Sequence, residues 1–124
     1  MSLFAQLGGE PKLRAIIDDF VDRCFDDAMI GFLFARADRD RIKRFEYEHA
    51  ANHLGAPVEY SGRPLDQAHG PHRIFGGQFA RRRQILIETL RDHEVPQAVS
   101  DALIAHQDSL RGLITKDRDS NCRG

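Results

Sequence analysis

The sequence lacks the features that mark several large classes of protein. No tryptophan occurs among its 124 residues, and the only two cysteines are Cys24 and Cys122. Cys24 falls on an apolar helical face and Cys122 in a polar tail, so we predict no disulfide framework. No apolar run approaches the length of a membrane span, and no signal peptide is recognisable. These absences predict a reduced, cytoplasmic protein that does not contact a membrane.

An excess of charge of one sign is also missing. The chain carries 18 basic and 19 acidic residues, a formal net charge of −1, which provides no bulk field for binding nucleic acid. Charged residues make up 30% and apolar residues 41%, as in an ordinary globular domain. The length suits one domain with one core. We predict that this domain spans residues 1–116 and that 117–124 form a polar tail.

Alternation of polar and apolar residues with period two is absent over any useful length, so we predict an all-α chain. The strongest helical run begins after Pro11 and places apolar residues on one face: Leu13, Ile16, Ile17, Phe20, Val21 and Cys24. Asp38 is a suitable N-cap for a helix running to about Leu54. An apolar corner is predicted at 30–34, a short helical turn at 65–69, a helix at about 78–93, and a last helix after Pro96.

The helix after Asp38 has a mixed inner face. Ile42 and Phe45 are apolar, but the same stripe continues through Glu46, His49, Ala50 and His53. Polar groups are costly on a buried face unless they have partners. The pattern therefore indicates either a face that looks into a polar cavity or a helix that is only half buried.

Three consecutive arginines, 81–83, follow Gly76-Gly77 and Phe79. Three consecutive residues span most of a helix circumference, so at least one of them points toward the apolar side. An arginine that approaches the core needs a buried carboxylate or a ligand. Among the residues predicted to face inward, Glu46 is the obvious partner.

Two histidines lie in the stretch LDQAHGPHRIFGGQF, residues 65–79. His69 and His72 are three residues apart, a spacing that can direct two nitrogens toward one metal, but zinc needs three or four ligands. From the residues alone, a structural role is the more common one for a single histidine such as His69. Glu46-x-x-His49 is half of a di-iron motif without its second copy, and neither a phosphate-binding loop nor a nucleophile elbow is present.

Several segments together resemble the truncated haemoglobin family, most of all its first group. They are LFAQLGGEPKLRAIIDDFVDR, GFLF, RIKRFEYEHAANHLGAPVEYSGRPLDQAH, GGQF and HEVP, and the resemblance extends from about Leu3 to Ile114. It implies a truncated globin fold, a two-over-two helical sandwich around haem b.

The resemblance also implies roles for particular residues. His69 would be the proximal ligand of the haem iron, and Phe34 would pack on the haem face. Ile42 and Glu46 would look at the bound ligand. The remaining implied haem contacts are Phe45, Leu65, Ile74, Phe79 and Leu86, with Tyr60, His72 and Arg73 as propionate partners.

Three departures from the family pattern fall on the distal side. Val21 stands where the family usually has a ligand-binding tyrosine, Glu46 replaces a usual glutamine, and Arg82 replaces valine or tryptophan. A Glu46–Arg82 pair thus takes the place of neutral donors. Arg82 would set a cation beside the ligand and Glu46 could pass a proton, or the two could pair and close the pocket.

The expected function is reversible binding of a diatomic gas (oxygen, nitric oxide or carbon monoxide) at haem iron. One alternative is a haem-dependent enzyme acting on peroxide or nitrogen oxides through Glu46 and Arg82, which leaves enzymatic activity open. Another is a haem-free helical interaction module. A reductase could serve the protein, which is expected to be a monomer or weak homodimer. His49 could lie at the haem edge or bind iron distally, whereas His53, His93 and His106 are assigned to the surface or to helix ends.

Overall fold

The computed structural model describes residues 2–58 and 76–109, and every regular element in these ranges is helical. The elements are α1 (Leu3–Leu7), α2 (Gly9–Asp26), a 3-10 helix (Gly31–Phe34), α3 (Arg39–His53), α4 (Gly76–Asp92) and α5 (Gln97–Ser109). No strand occurs in the described ranges, in agreement with the prediction of an all-α chain. None of the described helices has the length and apolar character needed to cross a bilayer.

Helix α2 carries the centre of the core. All six residues of its predicted apolar face are buried, and Leu13 and Ile16 are completely inaccessible. Pro11 lies in the first turn, where its missing N–H costs no hydrogen bond. Burial of each large side chain on this face stabilises the fold by roughly 1.5–3 kcal/mol. The periodic pattern therefore predicted the face of α2 correctly.

The chain turns from α2 into α3 through a tight corner. The Asp27 side chain accepts hydrogen bonds from the backbone N–H groups of Met29 and Ile30, at 3.0 and 3.1 Å. The 3-10 helix follows, and Asp38 then caps α3 by accepting a hydrogen bond from the Arg41 N–H at 3.2 Å. The predicted N-cap of α3 is thus confirmed.

The buried face of α3 agrees with the predicted stripe only at Ala50. The residues that the core covers are Tyr47, Ala50 and Ala51, followed by the C-cap residue Leu54. Ile42, Phe45, Glu46 and His49 are only half-buried, and His53 is exposed. The two alanines let α3 approach closely, while the Arg14 guanidinium covers the Tyr47 ring at 4.1 Å from its centroid. The half-buried residues of this face fit both alternatives, a helix that is only half buried and a face that borders a polar cavity.

The longer helices form two pairs. Helix α2 packs against α3, and α4 packs against α5. Contacts of α2 with α4, and of α3 with α5, join one pair to the other. This two-over-two arrangement brings side chains of α2, α3 and α4 together on the inner side of the α2–α3 pair.

Candidate functional site

An ion pair between α3 and α4 forms the polar centre of the site. Arg82 donates a hydrogen bond from Nη2 to Oε1 of Glu46 at 2.9 Å, and their side chains are only 15% and 22% exposed. The Arg82 guanidinium also lies 5.0 Å from the centroid of the Phe20 ring in α2. One arginine of the triple therefore approaches the core and takes Glu46 as its carboxylate, as the sequence indicated. The supporting contact with Phe20 was not predicted.

The two neighbouring arginines bind different acids. Arg81 reaches Asp27 at the end of α2, with its shortest contact at 2.7 Å, and Arg83 reaches Asp108 of α5 at 2.8 Å. The Arg81 guanidinium holds the pKa of the Asp27 carboxyl below its ordinary value. Consecutive residues of α4 thus point to three different elements, which fixes the rotation of α4 and the position of Arg82.

Four of the expected haem contacts belong to the hydrophobic core or pack against it. Val21 and Leu86 are buried members of the main core cluster, and the half-buried Phe34 and Ile42 pack against the same cluster. The Phe34 ring stacks on Phe25, with centroids 4.7 Å apart and an angle of 18° between the planes. These four residues are therefore part of the core or of its margin, and their haem-contact roles remain predictions.

The other two expected haem contacts in the described ranges have different surroundings. Phe79 is buried but is not a member of the main core cluster. The Phe45 ring lies beside the guanidinium groups of Arg41 and Arg44, 5.2 and 4.9 Å from its centroid. Cations of this kind accompany aromatic rings near the protein surface. A haem-contact role of Phe45 would place these cations at the edge of the pocket.

Cys24 lies close to the Arg82–Glu46 pair, but its thiol is unreactive. Its side chain is 3% exposed, which confirms the predicted burial. Burial raises the pKa of the Cys24 thiol to about 12, against a smaller lowering effect of the Arg82 charge. A protonated, buried thiol is neither a nucleophile nor a metal ligand at neutral pH.

Three histidines meet where α3 faces α5. The His53 and His106 rings are stacked with centroids 4.3 Å apart, and the His49 and His106 centroids are 6.2 Å apart. Nε2 of His106 is buried without a hydrogen-bond partner among the described residues. His106 lies in the last turn of α5, as the helix-end assignment expected, but the burial of this atom was not predicted. Its spacing from the buried Val99 and Leu103 was the signal that could have shown this.

The pKa values of this histidine cluster reflect its burial. Burial, followed by the charges of His53 and His49, lowers the pKa of His106 to about 4. Burial also lowers the pKa of His49, whereas the Glu46 charge opposes that shift. His93, outside the cluster, lies at the end of α4 with Nε2 2.8 Å from Asp19 Oδ2, as expected for a helix-end residue.

The remaining predicted site residues lie outside the described residues. They are Tyr60, Leu65, His69, His72, Arg73 and Ile74. The proximal iron ligand therefore stays a prediction. Within residues 2–58 and 76–109, no group of three histidine, cysteine or carboxylate side chains is arranged to hold a metal ion.

Comparison with known proteins identifies the family to which this chain belongs. The profile of the family described as bacterial-like globin matches residues 2–116. The group 1 truncated haemoglobin GlbN of Mycolicibacterium paratuberculosis is 28% identical over 82% of this chain and 76% of its own length. The GlbN protein of Nostoc commune is 26% identical over 91% of this chain and 96% of its own. The crystal structure of the Fe(III) truncated haemoglobin from Tetrahymena pyriformis superposes with a TM-score of 0.84, at 22% identity, over 93% of this chain and 98% of that one.

These comparisons agree with the helical architecture. The two pairs of packed helices are the two-over-two fold of the truncated globins, so the predicted fold class is confirmed. Family membership supports haem iron as the cofactor. The chain belongs to the bacterial-like globin family, as a truncated haemoglobin.

Proposed function

We propose that this truncated haemoglobin reversibly binds a diatomic gas (oxygen, nitric oxide or carbon monoxide) at haem iron held by His69. The observation that carries the proposal is the Arg82–Glu46 ion pair, which is largely shielded from solvent and lies beside the core residue Phe20, at positions where the family resemblance expects ligand-facing residues. A polar pair in such a place is costly unless it has a function or a ligand. When bound and held by a neutral imidazole, haem supplies an iron with an open position for a diatomic ligand.

The apolar residues of this region give the pocket its selectivity for small, weakly polar ligands. Val21 offers no hydrogen bond, in contrast to the tyrosine that the family resemblance leads one to expect there. Ile42 and Leu86 contribute apolar surface that excludes water from the ligand space. Among the described residues of this region, polar stabilisation of a bound ligand therefore has to come from Arg82 or Glu46.

Arg82 is positioned to provide that stabilisation. Its guanidinium carries five N–H donors, and the contact with Glu46 uses a donor on Nη2. Glu46 on one side and the Phe20 ring on the other restrict its orientation. A cation held in this way stabilises negative charge on a ligand without having to reorganise, and this stabilisation slows ligand release.

A second function is favoured by the same contact. Glu46 and Arg82 place a carboxylate and a cation 2.9 Å apart, and this is a combination that can hold a proton and stabilise developing charge. We therefore keep haem-dependent turnover of peroxide or nitrogen oxides as the alternative. A reductase would be the redox partner for such turnover.

Absorption spectra of the purified protein test the haem site. We expect added haemin to produce a Soret band, and the ferrous protein to give a carbon monoxide spectrum typical of histidine ligation. His69→Gly should abolish that ligation, and free imidazole should restore it. His93→Gln is the matched control, because His93 pairs with Asp19 away from this region. A His69→Gly variant with an unchanged spectrum and haem affinity would refute the proposed ligand.

Ligand-release rates test the role of Arg82. Loss of a charge-assisted hydrogen bond of about 1.5–3 kcal/mol should increase the oxygen dissociation rate of Arg82→Leu by about 10- to 100-fold. Peroxide consumption by the wild type, Arg82→Leu and Glu46→Gln distinguishes haem-dependent turnover from reversible gas binding. Turnover that falls in both variants would favour the enzyme, and turnover no faster than free haem would exclude it.

A further inference from the structure

Asp27, the residue that follows α2, holds two different parts of the molecule with the two oxygens of one carboxylate. Oδ2 accepts hydrogen bonds from the backbone N–H groups of Met29 and Ile30, at 3.0 and 3.1 Å. Oδ1 accepts hydrogen bonds from Nε and Nη2 of Arg81 in α4, at 3.0 and 2.7 Å. The first set fixes the corner after α2, and the second fixes α4 against the end of α2.

The contacts on the corner side extend to Phe34. The backbone C=O of Asp27 accepts a further hydrogen bond from the Gly31 N–H at 2.8 Å, and the Ile30 side chain is buried. Gly31 is the first residue of the 3-10 helix that ends at Phe34, and the Phe34 ring stacks on Phe25 of α2. Asp27 therefore determines where the 3-10 helix begins and, through it, where the expected haem-face residue Phe34 lies.

The contacts on the helix side extend to Arg82. Arg81 and Arg82 are consecutive residues of α4, so their side chains leave the helix about 100° apart. A rotation of α4 that releases Arg81 from Asp27 therefore also moves Arg82 relative to Glu46. The side chain of Asp27 is 8% exposed and that of Arg81 is 36% exposed. Water thus has little access to the carboxylate that holds α4 in this orientation.

The Arg81–Asp27 and Arg82–Glu46 ion pairs both lie near Cys24 of α2. Burial raises the pKa of the Cys24 thiol to about 12, and smaller effects come from the charges of Arg82, Glu46, Asp27 and Arg81, in that order. Such effects decline with distance, so both ion pairs are close to the same part of α2. A displacement of one pair is therefore expected to change the surroundings of the other.

We propose that Asp27 is a positioning residue of the ligand site, whose carboxylate keeps the Phe34 corner and the Arg82 side chain in a fixed arrangement. Asp27 acts through the two elements that it joins rather than by touching the ligand. A cation stabilises a bound ligand best when other groups hold it in place beforehand. The inference rests on the proposed haem function, because the position of Arg82 matters for a ligand only if one binds there.

Loss of the Asp27 charge would act on a bound ligand in two opposite ways. Removal of a negative charge, taken alone, makes the electric potential at the ligand more positive. Displacement of Arg82 instead takes a cation away from the ligand. The C–O stretching frequency of the ferrous carbon monoxide complex distinguishes these effects, because a nearby positive charge lowers this frequency and its removal raises it.

Infrared spectra of that complex test the positioning role. Asp27→Asn keeps a side-chain oxygen for the N–H groups of the corner but loses the ion pair with Arg81. We expect its C–O band to move to higher frequency, toward that of Arg82→Leu. We also expect its oxygen dissociation rate to rise by roughly 2- to 30-fold. A band that stays in place or moves to lower frequency would overturn the role of Asp27.

Asp27→Asn combined with Arg81→Met is the second variant. It removes both charges, so their direct effects on the ligand largely cancel, and no unpaired charge is left to impair folding. The C–O band should still move to higher frequency. Arg83→Met combined with Asp108→Asn is the matched control, because this pair also anchors α4 but its side chains are 40% and 45% exposed. Equal shifts in the two double variants would refute a specific role of Asp27.

Urea unfolding of the protein without carbon monoxide provides an independent measurement. Substitutions at separate sites without shared partners have additive effects on stability. If Asp27 positions α4, the effects of Asp27→Asn and Glu46→Gln should be non-additive, by about threefold or more in the unfolding equilibrium constant. Additive effects would contradict the proposed coupling between the two ion pairs.

The same samples distinguish failure of this inference from failure of the proposed function. A normal carbon monoxide spectrum in the wild type, with an unmoved band in both Asp27 variants, would remove the positioning role and leave gas binding intact. Absence of any haem spectrum in the wild type would refute the proposed function and, with it, this role of Asp27.

Discussion

Arg82 of α4 holds Glu46 of α3 by a 2.9 Å hydrogen bond, with the ring of Phe20 5.0 Å from its guanidinium. The family resemblance predicts uncharged ligand-binding residues at these two positions. Under our proposal, a charged pair therefore lies on the ligand side of the haem pocket.

Removal of one partner of this pair should destabilise the fold. Arg82→Met leaves Glu46 half-buried without its cation, so we expect a loss of about 2 kcal/mol in the free energy of unfolding, measured by urea titration. Arg82→Met combined with Glu46→Leu should recover most of that loss, because no charge then remains in the apolar region.

Arg83→Met is the matched control for this measurement. The side chains of Arg83 and Asp108 are 40% and 45% exposed, and exposed ion pairs contribute little. We expect a change below about 0.5 kcal/mol. Equal losses of unfolding free energy in Arg82→Met and Arg83→Met would show that burial does not change how much each ion pair contributes to stability.

The corner before α3 should not tolerate a larger residue than glycine at position 31. A Cβ on Gly31 would lie 2.5 Å from the backbone oxygen of Phe25, so the corner must shift. We expect Gly31→Ala to cost roughly 2 kcal/mol and to weaken haem binding through Phe34, which stacks on Phe25.

Gly77→Ala tests whether that effect is specific. A Cβ on Gly77 meets no described atom within 4 Å, and alanine favours the helix, so stability should stay the same or rise slightly. Urea titration and haemin titration of the two variants compare them directly. A Gly31→Ala protein as stable as the wild type would contradict the close approach of position 31 to the backbone oxygen of Phe25.

The stability of the protein should fall as the pH falls below neutral. The folded chain keeps His106 neutral to about pH 4, whereas the unfolded chain protonates an ordinary imidazole near 6.5. The unfolded chain therefore binds more protons between these values, and folding loses free energy as pH falls from 6.5 toward 4. His49 contributes in the same direction. His106→Gln should flatten this dependence in urea titrations across the window, and an unchanged slope would contradict it.

Cys24 should react only after unfolding. With a thiol pKa of about 12 and 3% exposure, it carries almost no thiolate at about pH 8. In a Cys122→Ser background, which leaves Cys24 as the only thiol, reaction with a disulfide reagent should be at least about 10³-fold slower than for a free thiol. Urea should restore full reactivity. Rapid modification of the folded protein would disprove the burial of Cys24.

Much of the local structure follows from the sequence. The spacing from Leu13 to Cys24 defined the buried face of α2, and Asp38 marked the start of α3, because helical periodicity and capping are local properties. The need of one arginine for a carboxylate also followed from local geometry, since three consecutive residues cannot all point to solvent.

Only the tertiary structure decided which acids bind Arg81 and Arg83, whereas the family resemblance had already paired Arg82 with Glu46. Asp27 lies 54 residues from Arg81, and Asp108 lies 25 residues from Arg83. Tertiary packing also decided that the core covers Tyr47, Ala50 and Ala51 of α3. It likewise buries Nε2 of His106. Periodicity determines which residues share a helical face, but the rotation of each helix against its neighbours depends on packing between distant parts of the chain.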